Sequence, residues 1–394
     1  METKKFINRK HYLVCGPTGS GKTGSHVVPE MLQAETSMVV VDTKGLLYNR
    51  YKDYLTRHGF RVESINFVEP EKSAVYNMLD FVRTVHHPDG RISYKQKDLK
   101  TIACALVPLE KDSDDAFWVE SARNLLVSLM AFTLEVIEES ERNMITVAKL
   151  FLLMNENYKR VSFFEDLRSE DPDSFAVAMY DTYKGVMMSE RTYACILKFA
   201  ANALEPFLYD DIKPMFNGKS TVNFADIGRE KTVLFLEVSD TDRSMDSVIN
   251  VFYQQLFQSL CNEADSKEDG RLQVPVRIIL DDMASNITIK DFDKIISVIR
   301  SRQIYVSIIL QSISQLEGMY STAVAKTIIN NCDYKLFFAG QDPDTARFIG
   351  DYANCVPEKV TRMKEDDICI LERGKDIRFA KRIAPYSMDI EKGI

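Results

Sequence analysis

Short aliphatic runs recur along the chain, and their periodicity changes twice. "HYLVC" (11–15), "SMVVVD" (37–42) and "RVESINF" (61–67) are brief, rich in valine or isoleucine, and close to glycine or turn residues. Such runs predict strands. A helical pattern fills the space between the first two, so the chain opens strand–helix–strand and predicts a parallel sheet. From about residue 80 to 219 the period becomes helical. "KQKDLKTIACALV", "DDAFWVESARNLLVSLMAFTLEVIEESE", "ITVAKLFLLMNEN", "DSFAVAMYDTYKG" and "RTYACILKFAANALEPFL" carry it, and no strand pattern interrupts them. Ser113, Asp114 and Asp115 suit the start of the long one. Strand-like runs then return as "TVLFLEV" (232–238), "VRIILD" (276–281), "YVSIIL" (305–310), "YKLFFAG" (334–340), "ICILE" (368–372) and "IRFAKRI" (377–383). The last two flank "RGKD" and predict an edge hairpin.

The pattern thus predicts one α/β domain with a largely parallel sheet, residues 1–79 and 220–394, interrupted by an all-α inserted domain, residues 80–219. The length of 394 residues agrees with more than one core. A net charge of −8 gives no electrostatic reason for strong nonspecific DNA binding. The insert is the more acidic part. Seven scattered cysteines without a CxxC pair, and five dispersed histidines, predict neither a disulfide framework nor a cysteine–histidine metal site. They fit a reducing, cytoplasmic setting. The longest uncharged run, 247–262, reads as an amphipathic helix rather than a membrane span, and "METKKFINRK" has no apolar signal region.

Chemistry enters with "GPTGSGKT" (16–23), a GxxxxGK[ST] pattern between a predicted strand and a predicted helix. Glycines at 16, 19 and 21 let the backbone bend where a side chain would clash. Backbone N–H groups then converge on phosphate at a helix N-terminus. The nucleotide-binding set is Gly16, Thr18, Gly19, Ser20, Gly21, Lys22, Thr23 and Gly24, with ATP and Mg²⁺ as ligands. Lys22 reaches the β and γ phosphates, and Thr23 offers its hydroxyl to Mg²⁺. Pro29 should shorten or kink the following helix.

A P-loop needs a second carboxylate at the end of a neighbouring apolar strand. "VRIILD" supplies Asp281, expected to hold Mg²⁺ through water. Asp282 follows, placed to polarise an attacking water. The wide separation of Lys22 from Asp281 is accounted for by the helical insert.

These residues resemble the conjugative coupling proteins of type IV secretion, the VirD4/TraG group of the additional-strand P-loop ATPases related to FtsK and HerA. The resemblance rests on "LVCGPTGSGKT…VVPEML", "VVVDTKGLLY", "FVEPEKSAVYNML", "DAFWVESARNLL", "IILDDMASN" and "VIRSRQIYVSIILQSISQLEGMY", in that order. It implies a RecA-like ATPase that works as a homo-hexameric ring, with the isolated chain as a monomer left open. It implies recruitment of relaxase or relaxosome proteins and single-stranded DNA, and delivery to type IV secretion channel components at the inner face of the membrane. Gln311 matches a sensor-like glutamine, and Arg300 and Arg302 fall where the family places an arginine finger.

Three departures stand out. The family's N-terminal transmembrane helices are absent from this chain, Thr43 replaces a proline in "DTKG", and Asp282 stands where the family has glutamate. The shorter side chain sets its carboxylate about 1 Å further back, enough to matter for chemistry. It keeps open a nucleotide-binding adaptor with marginal turnover, beside a motor or an FtsK/HerA-type translocase. Trp118 reads as a core residue or a partner anchor. The basic segment 372–382 reads as a DNA-facing or a solvated hairpin. The acidic insert suits a basic protein partner.

Overall fold

The computed structural model describes residues 9–43, 45–109, 115–156, 162–185, 190–283, 288–353 and 356–387. Ser113, Asp114, Lys44 of "DTKG" and the "ASN" of "IILDDMASN" lie outside them. The strands, in chain order, are β1 (Tyr12–Cys15), β2 (Ser37–Asp42), β3 (Arg61–Asn66), β4 (Thr84–His86), β5 (Ile92–Tyr94) and β6 (Thr232–Glu237). β7 (Val276–Leu280), β8 (Ile304–Leu310), β9 (Tyr334–Phe338), β10 (Asp367–Glu372) and β11 (Arg378–Lys381) follow. Each strand run read from the sequence forms a strand.

Nine of these strands make one sheet in the order β11-β10-β9-β1-β8-β7-β2-β6-β3. From β9 to β3 every pairing is parallel. β10 runs antiparallel to both β9 and β11, so the edge hairpin forms as the pattern predicts. β8 separates β1 from β7, with Leu13 opposite Ile308 and Ile279 opposite Ser307. Both faces of the central strands are buried. One face carries Val14, Val40, Phe235, Ile279 and Ile309, which cluster with Val27 and Met31 of the helix after β1. The other carries Leu13, Val39, Leu234, Ile278 and Ile308. Burial on both faces is why these strands read as unbroken apolar runs.

The helix after β1 is short. Thr23–Val27 is a wide π turn and Val28–Leu32 is α-helical, with Pro29 at its start. Proline lacks the N–H that a regular ladder would use there, so the change of pitch falls where the ladder would break. A buried polar bracket ties this helix to the sheet. Arg277 Nε lies 2.9 Å from Glu30 Oε1, and Ser307 donates to Glu30 Oε2 at 3.0 Å. The Arg277 guanidinium lies against the rings of Tyr12 and Tyr305 and donates to the Lys10 carbonyl at 2.6 Å.

His11 sits beside this bracket, fully buried, and its Nδ1 accepts from the Val306 N–H at 3.0 Å. Burial, then the charge of Arg277, pushes its pKa down to about 3. The unfolded chain protonates this histidine below about 6.5, whereas the native state resists. Stability therefore falls as pH drops below that value, by up to about 1.4 kcal/mol per unit. Denaturant melts at pH 7 and pH 5 should differ by about 2 kcal/mol from His11, and His11→Gln should remove that part. An unchanged difference in the variant contradicts the assignment.

The chain divides into two compact units: Met1–Val68 with Asn223–Thr241 and Leu256–Ile394, and Glu69–Val222 with Asp242–Gln255. The second is built from helices Gln96–Leu106, Ala116–Val136, Met144–Glu156, Ser162–Glu170, Phe175–Lys184 and Glu190–Leu204. Ala116–Val136 is central, burying Val119, Ala122, Leu125, Leu126, Leu129 and Met130. An apolar helix of this kind is buried nearly all round. Ser174 caps Phe175–Lys184 and donates to Glu135 at 2.6 Å. Trp118 is partly buried, beside a 58% exposed Phe117. The helical unit also holds the β4–β5 antiparallel ribbon, where the sequence pattern predicts only helices. Its strands are three residues each, too short for periodicity, and only the Pro-Asp-Gly turn, with Gly90 at φ 85°, signals it. No helix among the described residues is long and apolar enough to cross a membrane.

Candidate active site

The loop Gly16–Lys22 follows β1 at its C-terminal end, where open parallel sheets place their crevices. Gly19 and Gly21 take φ of 79° and 84°, the left-handed region that glycine alone enters at little cost. Gly16 is needed for a different reason. A Cβ there would lie 2.6 Å from Phe338 Cβ and 2.8 Å from Ser20 Oγ. The Gly16 N–H donates to the Leu310 carbonyl at 3.2 Å, seating the loop between β8 and β9.

Lys22 Nζ donates to the carbonyls of Gly16 at 2.6 Å and Pro17 at 2.9 Å. Burial lowers its pKa, against the attraction of Asp281 and Asp282. Thr23 Oγ1 donates to Asp281 Oδ2 at 2.7 Å, across 258 positions of sequence. Burial raises the Asp281 carboxyl above the usual range, and the Thr23 hydrogen bond opposes it. The Asp282 N–H donates to Asp281 Oδ1 at 3.0 Å.

A hydroxyl and a carboxylate at this spacing are hard oxygen donors of the kind Mg²⁺ takes. Among the described residues no group of three or more His, Cys, Asp or Glu could hold a metal alone. A cation here would share its ligands with phosphate and water, which is how Mg²⁺ is held in nucleotide sites. The residues fit the group.

Asp282 sits just past β7 with φ 48°, a conformation aspartate tolerates better than most side chains. Gln311, just past β8, donates from Nε2 to Asp282 Oδ1 at 3.4 Å. Its own N–H is held by Gln315 Oε1 at 2.8 Å. So Lys22, Thr23, Asp281, Asp282 and Gln311 converge at the C-terminal ends of β1, β7 and β8.

Arg300 and Arg302 are not brought there. They precede β8, at its other end, and seven strand residues separate them from Gln311, about 20 Å. Arg300 reaches both oxygens of Asp333 at 3.3 Å, and Arg302 pairs with Asp265 at 2.7 and 3.0 Å. The basic hairpin is also paired with acidic groups. Arg373 meets Asp333, Lys375 and Arg378 meet Glu372, and Lys381 meets Asp367. Asp42 of "DTKG" accepts from the N–H groups of Leu47 and Tyr48, so it caps the helix Leu46–Arg57.

One strand, β8, lies between the P-loop strand β1 and the aspartate strand β7, as the resemblance to additional-strand P-loop ATPases implies. A family model described as type IV secretory system conjugative DNA transfer matches residues 1–352. The chain belongs to that family. VirD4 of Agrobacterium fabrum is 24% identical over 375 residues, covering 92% of this chain and 53% of VirD4. VirD4 of Rhizobium radiobacter is 25% identical over 342 residues, covering 86% and 47%. The chain thus spans about half the length of the curated relatives it matches.

Among solved structures, the unbound conjugative coupling protein TrwBdeltaN70 has a TM-score of 0.67 at 16% identity, covering 95% of this chain and 84% of that one. TrwB in complex with ADP and Mg²⁺ has a TM-score of 0.64 at 17% identity, covering 95% and 85%. VirB4 of Thermoanaerobacter pseudethanolicus has 0.56 at 12%, covering 95% and 89%. At these identities the likeness shows the shared fold, a RecA-like α/β architecture.

Sequence reasoning missed the bracket Glu30–Arg277–Ser307 and the contacts of Arg382, Pro385 and Tyr386 with the loop. An arginine inside the apolar run "VRIIL" signals the first, because a charge in a buried strand needs a partner. The second had no local signal.

Proposed function

We propose that this chain is the nucleotide-hydrolysing core of a conjugative coupling protein, using ATP and Mg²⁺ to drive or gate the passage of relaxase-bound single-stranded DNA into a type IV secretion channel. One observation carries the reading. Thr23 of the P-loop meets Asp281 at 2.7 Å while Asp282 and Gln311 meet beside them, all within a chain of the conjugative family.

The geometry supports a role for each residue. Lys22 exchanges the carbonyls of Gly16 and Pro17 for the β and γ phosphates, which are better acceptors for an ammonium. Thr23 and Asp281 would hold Mg²⁺, which when bound neutralises charge on the phosphates. Asp282 takes the proton from the attacking water, and the Gln311 amide orients that carboxylate. TrwB, solved with ADP and Mg²⁺ and with non-hydrolysable ATP and GTP analogues, supports nucleotide at this loop. Arg300 and Arg302 lie too far to serve their own loop, so either acts as a finger only on the loop of a neighbouring subunit, in the hexameric ring we propose. The helical unit, acidic overall, is the proposed platform for relaxase and relaxosome proteins, and the work is assigned to the cytoplasmic face of the membrane.

The test is Mg²⁺-dependent ATP hydrolysis with and without single-stranded DNA. The proposal expects turnover that rises several-fold with DNA. The adaptor reading, which Asp282 in place of glutamate keeps alive, expects tight ATP binding with negligible turnover in both cases.

A further inference from the structure

The segment after β11 returns to the P-loop. Arg382, with a side chain only 8% exposed, donates to the Ser20 carbonyl within the loop. Its Nη2 also holds Asp366 at 3.1 Å, and its backbone N–H donates to the Asp366 carbonyl at 2.8 Å. Pro385 and Tyr386 then lie against the loop's glycines. A Cβ on Gly21 would meet Pro385 Cγ at 2.9 Å, and one on Gly24 would meet Tyr386 Cε2 at 2.8 Å. The Tyr386 N–H donates to the Gly24 carbonyl at 3.1 Å.

Tyr386 is nonetheless 47% exposed. Its ring has the Arg50 guanidinium over it at 5.2 Å. The two aspartates approach the loop across β8, on one side of β1. The returning segment comes from the β9–β10–β11 side. With Lys22, Thr23 and Asp281 in the roles proposed above, the γ end of a phosphate chain would lie toward the two aspartates. The nucleoside would then leave the loop on the side of Gly24, beside the partly exposed Tyr386 ring.

We propose that Tyr386, braced by Arg50 and anchored by Arg382, is the stacking wall for the nucleoside base. This rests on the P-loop reading and names the residue that recognises the base. Stacking accepts any base, since every base has a π face. The segment makes this possible because glycines at 21 and 24 leave room for it.

The experiment compares two probes, Mg·ATP and inorganic tripolyphosphate, by calorimetry on the full chain. Tripolyphosphate has the phosphates and no base. Tyr386→Leu keeps an apolar side chain against Gly24 and removes the ring. It should weaken ATP about tenfold, a typical loss for one stacking contact, and leave tripolyphosphate within twofold. Tyr386→Phe should bind both as the wild type does. Unchanged ATP affinity in Tyr386→Leu overturns the proposal, and so does an equal loss for both probes, which marks a purely structural contact. Lys22→Ala separates this from the parent reading. It should weaken both probes, and if it weakens neither, the P-loop reading itself fails.

Discussion

Lys22→Ala should lower Mg·ATP turnover by about 10²–10³-fold, the range for removing one preorganised charge from a transition state. The side chain is already at the site, held by two carbonyls at 2.6 and 2.9 Å, so it needs no rearrangement of the fold to reach phosphate. Its ammonium is partly buried and attracted by Asp281 and Asp282. A charge in such a place is worth more than one in water. Arginine should not rescue it, because a planar guanidinium does not replace a compact ammonium in so tight a loop. Thermal stability should change little, since the lysine supports no part of the core. A variant with wild-type turnover excludes the assigned role.

Asp282 gives the second large effect. Asp282→Asn keeps the size of the side chain and tolerates φ 48°, yet cannot take a proton. Turnover should fall about 10²-fold or more, the usual contribution of a general base, while ATP binding stays near that of the wild type. Asp282→Glu should retain activity or raise it, as the added methylene advances the carboxylate by about 1 Å. Near-zero rates in the wild type and both variants favour the adaptor. The backbone qualifies the glutamate result. A left-handed φ suits aspartate better than glutamate, so part of the gain in reach is offset by strain.

The sheet was legible because its strands are buried on both faces and bounded by turns, so "SMVVVD" and "VRIILD" could hardly be anything else. The P-loop and its aspartate partner were legible because each residue type there answers to one chemical need. The distribution of the arginines was not. "RSR" shows charge but not that Arg302 lies against Asp265, or that both arginines sit at the wrong end of β8 for their own loop. Helical capping by Asp42 was hidden inside "DTKG", because it depends on where the following helix begins. The contacts of Arg382 and Tyr386 with the P-loop depend on topology alone. They join positions more than 350 residues apart, with no periodicity or motif to announce them.

The most direct test of the central claim is steady-state ATP hydrolysis by the concentrated chain with Mg²⁺, with and without single-stranded DNA, against Lys22→Ala as the blank. The account predicts wild-type turnover well above the blank and several-fold stimulation by single-stranded DNA that the variant lacks. Turnover equal in the wild type and Lys22→Ala, with no response to DNA, would contradict it.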